Sequence, residues 1–183
     1  MLTAVTDQLT PAEGDVCPET AQEQWFALGV AARHEKAVSR MLHHKGYETF
    51  LPLYASRHQY ARRSREFELP LFPGYVFCRF NPLTRLPILT TPGVLQVVGA
   101  GRVPIALDQN EITALQTAVQ ARARMLPWPY WQAGQKGRIT DGPLAGIEGI
   151  VIGVKQLVRL VLSVTLLKRS VLLEIDADCV SLV

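Results

Sequence analysis

Basic side chains concentrate in one segment of this chain. Residues 33–65 hold eight Lys and Arg against two acids, and all four histidines lie there. Arg33, Lys36 and Arg40 recur at intervals that align side chains on one face of a helix, and a second basic group follows beside Tyr60. Arginine interleaved with aromatic residues suits phosphates and stacked bases. The segment therefore predicts a polyanion partner, with a merely solvated basic face as the alternative; the candidate contacts are Arg33, His34, Lys36, Arg40, Arg62, Arg63 and Arg65.

A second candidate site is the aromatic stretch 69–80, which opens with Pro70, Pro73 and Gly74 and then becomes strand-like. Alternation puts Tyr75, Phe77 and Arg79 on one face and Val76, Cys78 and Phe80 on the other. Both faces are largely apolar, which predicts a central strand. Phe72 precedes the strand and is predicted to be exposed, so the stretch is a candidate docking surface; core packing is the alternative, above all for Tyr75 or Phe77.

The residue types exclude the common catalytic and metal sites. His43 and His44 lack acidic or Cys partners at ligand spacing, and Cys17, Cys78 and Cys179 have no paired spacing. The Gly99-Ala100-Gly101 run reads as a turn and not as a phosphate loop. We therefore expect a protein that is not an enzyme and uses no cofactor or metal; a histidine-dependent nuclease acting through the basic loop is the rival.

Composition places the chain in the cytoplasm. It has 183 residues, 48% of them hydrophobic, and a formal net charge of +3, so it should bury a core. Its N-terminus resembles no signal peptide, and charged residues interrupt the apolar C-terminal stretch, which argues against a membrane span. We expect a cytoplasmic monomer.

The first 124 residues predict a tail and one domain. Residues 1–23 are acidic and aperiodic, which predicts disorder, and residues 24–124 predict an α/β domain. Its expected elements are a strand at Trp25–Val30, a helix at Ala31–Lys45 closed by Gly46, a strand at Tyr47–Tyr54 with Pro52 at an edge or bulge, a hairpin tip at Ala55–Arg65, the central strand, a short helix or turn at Leu83–Leu89, a strand at Val94–Val98 and a helix capped by Asp108 and Glu111.

The remainder predicts a linker at 125–133 and a small β-domain at 134–183. Five short strands with tight connections favour a small barrel. They are expected at Lys136–Thr140, Ile147–Val154, Arg159–Leu166, Ser170–Ile175 and Cys179–Leu182. Apolar residues between 157 and 172 also fit a helical stripe, but the many β-branched side chains favour strands.

These motifs together resemble a known family. The run Leu-Phe-Pro-Gly-Tyr-Val-Phe (71–77) follows a basic hairpin, in a domain that opens with Trp25-Phe26 and Arg33-His34-Glu35-Lys36. The chain is similar here to the polymerase-binding N-terminal domain, or NGN domain, of NusG-type transcription elongation factors. Gly134–Val151 resembles the KOW motif of their second domain, carried by Gly137, Asp141, Gly142, Pro143, Gly146 and Gly149. The resemblance implies an α+β fold: an N-terminal α/β sandwich with an antiparallel sheet and a five-stranded SH3-like KOW β-barrel.

The resemblance also implies partners and residue roles. The family's first domain grips the clamp helices of the largest RNA polymerase subunit, which maps here to Phe72, Tyr75 and Phe77, with Pro52 beside them. A second polymerase contact maps to Thr84 and Arg85, although the threonine cluster of RfaH-like factors is not reproduced there. The basic residues would face non-template or upstream DNA. The barrel would meet a small-subunit ribosomal protein or Rho.

The resemblance leaves three functions open. The expected one is regulation of pausing, termination and antitermination by an operon-specific paralogue of the RfaH type. The alternatives are a housekeeping NusG that couples polymerase to Rho or the ribosome, and a KOW-type RNA-binding ribosomal protein. RfaH-type second domains can refold as a helical hairpin, and the sequence leaves such switching open.

Overall fold

The computed structural model describes residues 22–60, 63–128, 134–154, 157–176 and 179–182. Most of the predicted acidic tail, Arg62 and the predicted linker beyond Trp128 lie outside these ranges, and the side chains of residues 57–66 are likewise not described. The elements of the first part are β1 (Gln24–Val30), α1 (Glu35–His44), β2 (Glu48–Phe50), β3 (Leu53–Tyr60), β4 (Arg63–Pro70), β5 (Tyr75–Phe80), a 3-10 helix (Pro82–Thr84), α2 (Leu86–Leu89), β6 (Val94–Val97), β7 (Gly99–Ala100), β8 (Val103–Pro104) and α3 (Gln109–Gln120).

An antiparallel sheet with strand order β2-β5-β1-β6 forms the centre of the first domain, so β5 is central as predicted. Val76, Cys78 and Phe80 pack with Val38 and Leu42 of α1 on one face. On the other face, a second cluster joins sheet residues to α3; it includes Trp25, Ala27, Phe77, Ile112 and Leu115. The sandwich predicted for this domain is confirmed, because a helix covers each face of the sheet.

The predicted strand at Tyr47–Tyr54 is divided at Pro52. Residues before it pair with β5 as β2, an edge of the sheet, whereas Leu53 onward forms a separate hairpin with β4. A proline has no amide hydrogen to donate to a ladder, so the division falls where the pairing changes. The predicted hairpin tip is much shorter than expected, because β3 and β4 pair as far as Tyr60 and Arg63.

Helix α1 begins four residues later than predicted. Arg33 has a φ of 65°, in the left-handed region, and His34 donates its amide hydrogen to the Ala31 carbonyl in a turn. Arg33 therefore precedes the helix, and the basic row on the helix starts at Lys36. The predicted C-terminal glycine is confirmed, since Gly46 has a φ of 88° directly after the last turn.

The second part is an antiparallel sheet of six strands in the order β14-β10-β11-β12-β13-β9. The five predicted strands are all present, and residues 157–164 and 169–176 are strands and not the helical alternative. The elements are β9 (Met125–Trp128), β10 (Gln135–Ile139), β11 (Glu148–Val154), β12 (Leu157–Val164), a 3-10 helix (Thr165–Leu167), β13 (Arg169–Asp176) and β14 (Val180–Leu182).

The closed five-stranded barrel is not confirmed. β9, in the range predicted as a linker, adds a sixth strand beside β13, and the pairings found in the described residues connect no strand back from β9 to β14. Pro127 is tolerated there because β9 is an edge strand. The chain therefore passes from α3 directly into the second sheet.

Candidate functional site

The turn before β5 is held by an acid of the first helix. Glu35 is buried, and its Oε1 accepts a hydrogen bond of 2.9 Å from the Gly74 amide. Gly74 has a φ of 83°, a conformation that favours glycine, and its carbonyl accepts a hydrogen bond from Val30. Sequence reasoning treated Glu35 only as a minor counter-charge. An isolated acid in the first turn of a basic helix was the signal that it had a partner.

Phe72 and Phe77, predicted as docking residues, lie in the core. Phe72 is 1% exposed and meets Phe77 edge-on, with ring centroids 5.4 Å apart. The prediction that Phe72 is exposed is wrong. The Leu71 amide donates to the Pro52 carbonyl and the Tyr75 amide to the Phe72 carbonyl, so the segment folds back over the sheet. Pro52 is buried as well.

An accessible apolar surface lies instead on the β3–β4 hairpin and at its base. We call it the hairpin surface: Phe50, Tyr54, Phe67, Leu69 and Tyr75. Tyr54 and Leu69 are cross-strand neighbours, and Phe67 and Leu69 are 41% and 36% exposed. Phe50, Tyr54 and Tyr75 are half-buried against the α3-side core. Only Tyr75 was named from the sequence. Tyr54, Phe67 and Leu69 show the apolar alternation of a strand, which could have identified them.

The segment after β5 exposes a different set of apolar side chains. Thr84 lies at the end of the 3-10 helix with its hydroxyl bonded to the Asn81 carbonyl, and Arg85 is half-buried. Leu83 and Leu86, on either side of these two residues, are 73% and 70% exposed. The helical turn weighed for this segment is therefore observed, and its leucines were missed by sequence reasoning.

The exposed side of α1 carries the basic residues that the structure describes. Lys36 forms an ion pair of 3.3 Å with Glu68, and the Arg40 Nε donates to the Lys36 carbonyl. His34 Nδ1 lies 3.0 Å from the Ala32 carbonyl oxygen at the start of the helix. Arg33, His34, Lys36 and Arg40 are thus brought together. Arg63 and Arg65 lie on β4, where only their backbone is described.

The KOW-motif glycines have distinct structural causes. Gly137 and Gly149 are directly opposed in the β10–β11 ladder. A Cβ on Gly149 would lie 2.7 Å from Leu160 Cγ, and one on Gly137 would lie 2.4 Å from a Val151 methyl. In the following loop Gly142 and Gly146 have positive φ values, Asp141 accepts the Gly142 amide, and Pro143 is exposed.

A groove separates α3 from the second sheet. It encloses about 560 Å³ and lies between residues 110–117 of α3 and residues 145–148 and 162–163 of the sheet. At its edge the Glu111 carboxylate accepts hydrogen bonds from the Thr165 hydroxyl at 2.6 Å and the Thr165 amide at 3.2 Å. Asp108 caps α3 as predicted, whereas the side chain of Glu111, its predicted capping partner, bonds to the second sheet.

Metal ligands and reactive thiols do not define a site in the described ranges. Those ranges hold no group of three His, Cys, Asp or Glu residues placed for a metal ion, and none of their helices is long and apolar enough to cross a membrane. Burial raises the pKa of the Cys78 thiol to about 12, with smaller contributions from the charges of Glu23 and Glu48. Cys78 is therefore a core residue.

Comparison with known proteins gives the same assignment over both parts of the chain. The family "NusG: Transcription termination factor nusG" matches residues 23–116. The transcription termination/antitermination protein NusG of Campylobacter jejuni is 28% identical over 139 residues, which cover 70% of this chain and 78% of that protein. That of Rickettsia prowazekii is 22% identical over 167 residues, covering 84% and 87%.

The fold itself has a solved counterpart. The structure "Domain interaction in Thermotoga maritima NusG" superimposes with a TM-score of 0.56 at 18% identity, and the match covers 87% of this chain and 97% of that one. At this identity the likeness shows a shared fold.

Proposed function

We propose a function from one premise: this chain belongs to the NusG family of transcription termination factors. The proposal is that it binds RNA polymerase through the hairpin surface and regulates pausing, termination and antitermination. The observation that carries it is the exposure of Phe67 and Leu69 beside half-buried aromatic residues, in the domain that the family shares. Aromatic and aliphatic anchors around a packed core are typical of helix-docking surfaces.

The proposal moves the polymerase contact from the buried to the accessible side chains. Phe72, Phe77 and Pro52 act by supporting this surface from within the core, and Tyr75 reaches it directly. Thr84 and Arg85, together with Leu83 and Leu86, form a second polymerase contact. That contact rests on the exposure of the two leucines in an otherwise compact domain.

A double substitution tests the hairpin surface. Phe67→Ser with Leu69→Ser should weaken retention of RNA polymerase on the immobilised protein by roughly tenfold or more, because truncating an interface anchor costs about 2 kcal/mol. The matched control is Leu95→Ser with Val103→Ser, which changes two residues that are 69% and 67% exposed elsewhere in the domain. Equal retention by the two variants, with unchanged urea midpoints, would remove the hairpin surface from the polymerase site.

The proposed nucleic-acid contact uses the basic side of α1. Arg33, His34, Lys36 and Arg40 are placed together there, and Arg62, Arg63 and Arg65 would extend the contact to the hairpin. Reversing Arg33 and Arg40 to Glu should lower affinity for single-stranded DNA and flatten its salt dependence by about 0.7 in log K per charge removed. An unchanged salt slope would identify the face as solvated only.

For the second sheet we propose the KOW role, with a small-subunit ribosomal protein or Rho as partner of the Asp141–Gly146 loop. We favour an operon-specific paralogue over a housekeeping NusG, on the direct passage of Glu68–Phe72 into β5. Mapping the protein on the chromosome by crosslinking discriminates the two: enrichment at a few operons supports the first, and uniform enrichment along transcribed genes the second. Co-purification with ribosomes and not with polymerase would instead favour the ribosomal alternative.

A further inference from the structure

The outer side of α1 is left cationic by the direction in which its one acid points. Glu35 turns inward and is bound to the Gly74 amide, so its charge does not offset the exposed Lys36, Arg40, His43 and His44. The first of these has a partner in Glu68, whose side chain is 70% exposed. The proposed nucleic-acid contact uses this face and supplies no intramolecular partner for it.

The segment preceding β1 has the complementary charge. Residues 1–21 contain four acids and not one Lys or Arg; the acids are Asp7, Glu13, Asp15 and Glu19. Charge complementarity of this kind is what draws a polyanion to a cationic face. Neither the polymerase contact nor the second sheet assigns a role to this segment.

The topology places the beginning of β1 near the C-terminal end of α1. Trp25 pairs with Arg79 of the central strand, and Arg79 pairs with Glu48 on its other side. Two ladder spacings, about 10 Å in total, thus separate β1 from the strand that α1 enters through Gly46. Helix α1 is roughly 15 Å long, and 21 residues extend to roughly 70 Å at most. The acidic segment can therefore reach every cation on the face, at the millimolar effective concentration of a short tether.

We propose that residues 1–21 bind in cis over the outer side of α1 and compete there with nucleic acid. The carboxylates take the positions of phosphates on Lys36, Arg40 and the flanking cations. Binding of a polyanion then requires displacement of the segment, which lowers non-specific affinity and leaves the face open only to a partner that outcompetes it. The docking itself is independent of the proposed function, whereas the competition rests on the proposed nucleic-acid contact.

Zero-length crosslinking of the full chain tests the docking. A carbodiimide joins a carboxylate to an amine only where the two touch, and the products are read by mass spectrometry. At low salt we expect acids of residues 1–21 to link to Lys36 and Lys45 in preference to Lys136 and Lys168, which are exposed on the second sheet. The links should disappear near 1 M salt, where the Debye length is about 3 Å. An even distribution over the four lysines would overturn the proposal.

Titration with a single-stranded oligonucleotide tests the competition. The variant Asp7→Asn, Glu13→Gln, Asp15→Asn, Glu19→Gln should bind roughly tenfold more tightly at low salt and with a steeper salt dependence, because the docked carboxylates no longer neutralise the cations in advance. The control exchanges each of the four acids for the other acid and should match the wild type.

The salt slope separates competition from simple repulsion. Tighter binding by the neutral variant at an unchanged slope would mean long-range charge alone and would overturn the competition. If neither chain binds the oligonucleotide, the proposed nucleic-acid contact fails, and the crosslinks alone decide the docking.

Discussion

Phe72 stands three residues before the central strand, where the local pattern leaves it between two turn-forming residues and predicts exposure. Its burial comes from the backbone bond between Leu71 and Pro52, which folds the segment over Phe77. Tyr75 and Phe77 share a strand face, yet Phe77 is buried and Tyr75 is half-exposed. A residue's role as anchor or core is thus decided by what passes over it, which a strand pattern does not contain.

Truncation of Phe72 should act on stability. Phe72→Ala is expected to lower the free energy of unfolding by about 3–5 kcal/mol, the cost of removing a fully buried phenylalanine. Phe67→Ala on the exposed hairpin should cost much less. Urea denaturation followed by tryptophan fluorescence measures both. Similar small losses for the two variants would contradict the burial of Phe72.

Cys78 should resist alkylation in the folded chain. Its pKa of about 12 leaves the thiol protonated at pH 8, and the side chain is buried, so iodoacetamide should label it only after denaturation. Because unfolding restores a pKa near 9, stability from this group is complete below pH 9 and is lost as the pH rises toward 12. Peptide mapping gives the labelling rate; labelling of native Cys78 as fast as that of half-buried Cys179 would contradict this.

At the scale of elements, periodicity located every strand of the second sheet, and turn residues located their ends. Two boundaries were missed for physical reasons. Helix α1 starts at Glu35 because Arg33 adopts a left-handed turn, and the second predicted strand divides at Pro52 because its two halves pair with different strands. Both depend on long-range partners and not on local propensity.

The glycine pair of the β10–β11 ladder gives an element-scale prediction. Gly149→Ala should destabilise the chain by about 1–3 kcal/mol, because the added Cβ meets Leu160 and the Val161 carbonyl at 2.7 Å. Gly29→Ala is the control: it is also in a strand, but its Cβ meets the flexible Gln96 side chain at 3.2 Å. Thermal unfolding compares them, and equal losses would show that the second sheet yields to accommodate the methyl group.

At the scale of the whole molecule, the two parts are continuous. One apolar cluster runs from Trp25 and Leu115 in the first domain to Leu160 and Leu173 in the second sheet. The Glu111 carboxylate also receives the hydroxyl and amide of Thr165 across the groove. The relative position of the two parts is therefore held by a shared core and a polar contact.

A double-mutant cycle should detect this contact. Glu111→Gln and Thr165→Val, singly and together, are expected to show a coupling of about 0.5–1.5 kcal/mol in unfolding free energy. The exposed Arg79–Glu48 ion pair serves as a reference and should couple by less, since water screens it. Additive effects of the Glu111 and Thr165 substitutions would mean that the two parts unfold without this contact.

The sequence by itself determined the family, the two-part organisation, the central strand, the strands of the second sheet and the basic character of α1. Each follows from residue type and local period. Only the tertiary structure decided that Phe72 is core, that Phe67 and Leu69 are accessible, that Glu35 holds the Gly74 turn, that Met125–Trp128 joins the second sheet and that Glu111 reaches Thr165. These outcomes depend on contacts between residues distant in the chain, and the free energy of such contacts is set by what packs against them rather than by neighbouring residues.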